Sequence, residues 1–212
     1  MDAPKRVARR FVPTISLKQG IIWYVLTIGL VSILYALDVN RFLVGTIYQI
    51  LILGFAIAPL YVDRRSRDAL GLVKIKWWIG LLIFLGSAIA QFVYYWFTGG
   101  DITIPKLDFR LLYIIALAPV CEEFFFRGYL QRAMEVKIGK WIGFLIMTIL
   151  FTIAHLPKIF ILQEGSAISI LVIFVIGAIF GIIRLKTGSL YYSILSHVGA
   201  NLMSIFFIVL KS

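Results

Sequence analysis

CEEFFFRGYL, Cys121 to Leu130, sets two adjacent glutamates and an arginine among phenylalanines. It closes an otherwise uncharged stretch that begins at Leu111, after Arg110. Whether that stretch belongs to a bilayer or to a water-soluble core decides the fold. The rest of the chain answers for the bilayer. Of its 212 residues 61% are hydrophobic, and the mean hydropathy is +0.98, whereas soluble domains run nearer half apolar. Several uncharged runs approach the ~20 residues needed to cross a hydrocarbon core.

The apolar runs predict an all-α, polytopic transmembrane bundle of about seven spans, with eight as the upper count. They fall at Ile21–Leu37, Phe42–Val62, Trp77–Phe97, Leu111–Leu130, Trp141–Leu156 (or on to Leu162), Ala167–Leu185 and Ser189–Leu210. The loops are short, so residues 1–212 read as a single integral membrane domain. The first span is too long, and lacks the small-residue cleavage site, to be read as a signal peptide. One cysteine excludes an intrachain disulfide.

A net charge of +11 would point to nucleic acid in a soluble protein, but here its placement follows topology. With the N-terminus cytoplasmic, the inside segments hold Lys5, Arg6, Arg9, Arg10, Lys18, Arg64, Arg65, Arg67, Lys74, Lys76, Arg132, Lys137, Lys140, Arg184 and Lys186. The outside segments hold Arg41, Lys106, Arg110, Lys158 and Lys211. Fifteen against five, with Arg127 inside a span, accounts for all 21 basic residues. That bias fits the positive-inside rule with the N-terminus in and the C-terminus out. No nucleic-acid partner is expected, and the bilayer is.

Of ten acidic residues, Asp2, Asp38, Asp63, Asp68, Asp101, Asp108, Glu135 and Glu164 fall in tails, loops or span ends. Only Glu122 and Glu123 lie well inside a span, and both histidines, His155 and His197, fall in apolar helices. Ionisable groups at such depth face a protein interior and mark function by default. Glu123 and Arg127, four apart, share a helical face and can pair through parallel hydrogen bonds. Glu122, about 100° around the helix, is then left for other work. The plainer reading is an anchoring ion pair. Pro119 predicts local irregularity one turn upstream. His155 ends F-T-I-A-H, and His197 shares a face with Asn201 in H-V-G-A-N. Counting ~1.5 Å per residue from the cytoplasmic ends puts Glu122 and His197 roughly 12 Å deep and His155 about 21 Å deep.

A carboxylate, two imidazoles and an amide in a water-poor cavity suit water activation and oxyanion stabilisation. Glu122 is the candidate base, and one histidine would hold the water or pass a proton to the leaving amine. The other histidine and Asn201 would donate to the oxyanion, worth about 2.7–4 kcal/mol per donor in measured cases. Amide hydrolysis is the natural reading. Zinc on Glu122, His155 and His197 is the alternative, although no H-E-x-x-H occurs. A nucleophilic Cys121 is weaker still, since a lone cysteine in an apolar helix is ordinary packing. Gly177 and Gly181 read as a small-residue packing face, and the phenylalanines of CEEFFFRGYL as facing lipid or neighbouring helices.

Taken together, APVCEEFFFRGYLQ (118–131), FTIAHL (151–156) and GIIRLKTGSLYYSILSHVGAN (181–201) resemble the CPBP group. These are the CAAX proteases and bacteriocin-processing enzymes also called the Abi family. The matching motifs are E-E-x-x-x-R, F-x-x-x-H and H-x-x-x-N, within residues 105–210, the motif-bearing core. The resemblance implies an intramembrane endopeptidase with a cavity open to the cytoplasmic side. Glu122 and His155 would activate water, His197 and Asn201 would form the oxyanion hole, and Glu123 and Arg127 would support the helix. It favours a mechanism without catalytic metal. The implied substrate is a peptide or protein tail, with an apolar or lipidated portion. The first three spans carry no motif and are expected to vary freely. Two readings compete: a non-catalytic immunity protein that sequesters a peptide, and a small transporter or proton relay.

Overall fold

The computed structural model describes residues 16–63, 66–98, 100–102 and 109–209. Asp2, Lys5, Arg6, Arg9, Arg10, Arg64, Arg65, Lys106, Asp108 and Lys211 lie outside the described residues. The described chain is helical apart from one two-stranded patch. Helices α1 (Leu17–Ala36) and α2 (Arg41–Val62) form an antiparallel pair, followed by the short α3 (Ser66–Leu70) and then α4 (Trp77–Phe97). The fifth helical rod, α5, runs without a break from Phe109 to Ile138. Its α-helical segments Phe109–Leu112, Ala118–Glu123 and Gln131–Ile138 are separated by π-helical turns at Tyr113–Leu117 and Phe124–Leu130. Helices α6 (Lys140–Phe160), α7 (Ala167–Thr187) and α8 (Leu190–Ser204) complete the bundle. Strand β1 (Gly100–Ile102) pairs antiparallel with β2 (Phe207–Val209) at one end.

Five helices, α1, α2, α4, α6 and α7, are long and apolar enough to cross a membrane. The chain is an integral membrane protein; among the described residues five of the about seven expected spans are such helices, and the full count is not confirmed. Two of the expected spans are not in that set, for physical reasons. The α5 rod carries Glu122, Glu123 and Arg127, and extends through the polar segment QRAMEVKI. The α8 helix has only 15 residues and buries serines along its length. The stretch of α5 from Cys121 to Met134 and much of α8 are largely buried against the other helices, so these parts need not satisfy lipid, whereas Leu112, Leu117 and Val136 of α5 are exposed.

Local chemistry fixes the breaks. Asn40 caps α2, its side chain accepting from the amides of Phe42 and Leu43 at 3.0 and 3.1 Å. Pro119 lacks the N–H that an α-helix would direct at the carbonyl four residues back, and the chain passes through a π turn just there. The turns into α6 and α8 fall at Gly139 (φ 96°) and Gly188 (φ 72°), a backbone region that side chains resist. The core gathers Ile52, Leu70, Phe125, Phe126, Leu130, Met147 and Phe151. Phe125 and Phe126 are fully buried, so these two rings of CEEFFFRGYL face the protein core and not lipid.

Hydrogen bonds identify the two ends of the bundle. At one end Leu190 N donates to Gly71 O at 2.8 Å, Lys76 N to Tyr192 Oη at 2.9 Å, and Ser16 N to Tyr129 Oη at 3.0 Å. At the other, Arg41 pairs with Glu164 at 2.6 Å.

Candidate active site

α5 presents its two glutamates to different surroundings. Glu123, fully buried, is held from three sides. Arg127 Nη1 lies 3.2 Å from its Oε1, the Ser193 hydroxyl bonds to its Oε2, and His197 Nδ1 lies 3.1 Å from Oε1. Arg127 is itself buried. Its Nη2 donates to Gly177 O at 2.8 Å, and its guanidinium lies 4.0 Å over the Phe151 ring, a cation–π contact between α5 and α6. Gly177 is needed for this approach, because a Cβ there would sit 2.7 Å from Phe151. The small-residue face expected on α7 is therefore a packing surface, and Gly181 meets Phe144 in the same way.

Glu122 faces elsewhere. Its Oε1 accepts from Gln49 Nε2 of α2 at 3.0 Å, and its Oε2 lies 4.0 Å from His197 Nε2. That gap is too long for a hydrogen bond, and a water can bridge one of this length. His197 thus stands between the two carboxylates, its ring stacked on Phe180 at 4.5 Å. With Nδ1–H given to Glu123, its Nε2 is the atom turned to Glu122.

His155 uses Nδ1 to bond Phe151 O at 2.8 Å, which leaves Nε2 as its free nitrogen. Its ring lies 4.7 Å from Phe151, whose ring is in turn 6.1 Å from His197. The depth mismatch expected for His155 disappears because α5 continues to Ile138. Glu122 then lies 16 residues from that end, and His155 lies 15 residues from Lys140 on the adjoining helix.

A cavity of about 890 Å³ is lined by His155, His197 and Asn201 together with Phe151 and Phe180. Glu122 is not in its wall but lies behind His197. Asn201 spends one amide hydrogen on Ile114 O, at 3.0 Å, in the π turn before Pro119. Only its second N–H is left for the cavity. The structure therefore brings His155, His197 and Asn201 to one cavity with Glu122 one contact away.

Among the described residues, no three His, Cys, Asp or Glu side chains are grouped so as to hold a metal ion. Cys121 is buried, at 2% exposure, in the hydrophobic core cluster.

Sequence reasoning missed Gln49. The first three expected spans were read as free to vary, yet α2 supplies the hydrogen bond to Glu122. Gln91 of α4 likewise lines the cavity. A signal was present: each is the one carboxamide in its apolar helix. The α4–α8 seam was also invisible in advance. A Cβ at Gly199 would come 2.4 Å from the Phe84 carbonyl oxygen, and Ser87 and Ser196 hydroxyls meet there at 2.6 Å.

Residues 104–203 match a family described as type II CAAX prenyl endopeptidase, Rce1-like. An uncharacterized 24.3 kDa protein of Escherichia coli is 29% identical over 179 residues, covering 77% of this chain and 78% of that protein. No solved structure matches the chain.

Proposed function

With its C-terminal half related to the CAAX prenyl endopeptidases, we propose that this protein is an intramembrane endopeptidase hydrolysing a peptide bond in a protein or peptide tail. The observation that carries the proposal is the 4.0 Å separation of Glu122 from His197 Nε2, beside a cavity whose wall also holds His155 and Asn201. Water in that gap would lose a proton to Glu122 as it attacks the carbonyl. Glu122 would then return that proton to the leaving amine, while His155, whose Nδ1–H is given to Phe151 O, would accept a hydrogen bond at Nε2 and so hold the water. The second Asn201 N–H would donate to the oxyanion, joined by His197 when Nε2 carries a proton. Glu123 and Arg127 keep His197 and the helix in place. The substrate tail is of CAAX type or of the bacteriocin-processing type, lipidated or plainly apolar. The protein resides in the plasma membrane with its N-terminus cytoplasmic.

The position of Glu122 behind the cavity wall favours one rival, a peptide-sequestering protein without catalysis. Peptide-library cleavage by the purified protein separates the two. Wild type is expected to cut, and Glu122→Gln to lower turnover by about 10²–10⁴-fold without changing Tm. His155→Ala is expected to behave likewise. Equal turnover in all three proteins would end the protease reading. Turnover is expected to survive a metal chelator, and a loss that zinc restores would overturn the metal-free mechanism.

A further inference from the structure

We propose that this cavity is served from the non-cytoplasmic face of the membrane, so that the substrate is an exported peptide segment and not a tail on the cytoplasmic leaflet. The inference rests on the protease reading for the word substrate, and on geometry for the side.

The mouth is defined by where the lining ends. It reaches Thr98 after α4, Gln163 and Ser166 between α6 and α7, and Ser204 at the end of α8, while Phe180 and His197 lie at its inner limit. The opposite end of the bundle is closed. Leu70 and Leu190 are fully buried there, Leu190 N is bonded to Gly71 O, and Arg184 Nη2 donates to Ala69 O at 3.3 Å. Ser193 and Ser196, both fully buried, fill the helix between that closure and His197.

Charge then assigns the sides. Of the 13 described lysines and arginines, Arg127 is in the core and Arg41, Arg110 and Lys158 lie at the mouth end. The other nine lie at the closed end. Arg41 and Lys158 further share Glu164, at 2.6 and 3.2 Å, which offsets part of the positive charge beside the mouth. Basic residues stay on the cytoplasmic side, so the closed end is cytoplasmic and the mouth is not. A cytoplasmic N-terminus and a cytoplasm-facing cavity, both expected from the sequence, exclude each other in this fold.

The walls describe the occupant. Ile168, Val172 and Ile176 of α7 offer an apolar strip, and Gln91, Thr98 and Ser204 offer polar groups. At about 890 Å³ the space lies in the range of built binding sites, roughly 300–1,000 Å³. An extended peptide with apolar residues beside the bond to be cut fits both walls. Such a segment would be presented after export, from a secreted peptide or the outer portion of an anchored chain.

Labelling single cysteines in intact cells tests the side, since native Cys121 is buried. A membrane-impermeant maleimide is expected to label Thr98→Cys and Ser166→Cys at once, and Thr187→Cys only after permeabilisation. The reverse pattern, or equal labelling of the two ends, would overturn the proposal. In sealed vesicles, an impermeant apolar peptide is expected to be cut only in the right-side-out population. Cutting only in inverted vesicles would also overturn it. The labelling needs no peptidase activity, so an inactive protein would sink the protease reading and leave the orientation result standing.

Discussion

Glu122 and Glu123 are neighbours in sequence and opposites in setting. Around Glu123 every direction is filled: an arginine, a serine and an imidazole converge on two oxygens. Around Glu122 one oxygen takes an amide from α2, and the other faces a 4.0 Å gap beside a cavity. The first region is sealed, and its two opposite charges lie 3.2 Å apart, which offsets part of their desolvation cost, although Arg127 Nε and Nη1 make no hydrogen bond. The second leaves one oxygen facing a gap behind His197, one contact from the cavity wall. Their contrast teaches that α5 holds one carboxylate fast in the core and leaves its neighbour open for the proposed chemistry, with His197 between them.

Breaking the sealed side should hurt folding most. Glu123→Ala strands a buried guanidinium and is expected to cost about 3–5 kcal/mol, read as a lower Tm in detergent or loss of extractable protein. The paired change Glu123→Leu/Arg127→Met should recover much of that stability while leaving turnover low, because His197 loses its anchor. Recovery of full turnover would show that the Glu123 contact has no part in the chemistry. A smaller loss is expected at the α4–α8 seam. Gly199→Ala pushes a methyl group against the Phe84 backbone and should cost about 1–3 kcal/mol, whereas an unchanged Tm would mean the seam yields freely. The mildest effect should come from the open side. Gln49→Leu removes one donor to Glu122 and a buried acceptor with no hydrogen-bond partner. It should leave Tm nearly intact and lower turnover about tenfold, the loss of one hydrogen bond to a charged group. Wild-type turnover across pH would reduce α2 to scaffold.

The motif residues were legible because charge inside an apolar run has no bland explanation. Glu123 and Arg127 at i, i+4 do pair, but through one ion-pair contact at 3.2 Å. The parallel hydrogen bonds expected do not form, because Arg127 Nη2 is taken by Gly177 O. The irregularity expected near Pro119 lies in the adjacent π turn. What failed was arithmetic on hydropathy. Polar residues in QRAMEVKI ended the expected fourth span at Leu130, while the helix runs on to Ile138. Serines and a short length kept α8 out of the set of long apolar helices. Gln49 escaped because a lone amide carries no charge and belongs to no spacing pattern. The closeness of α4 to α8 is a property of two distant segments, and one glycine does not announce its neighbour.

Helix α4 lies along α8, α7 lies along α6, and the cavity opens between these two pairs, with α5 touching both. The arrangement resembles two covers bound to one spine. Parting the covers at the mouth would widen the slot without tearing either pair, and a bulky guest could enter side-on while its flanking residues stay in the bilayer.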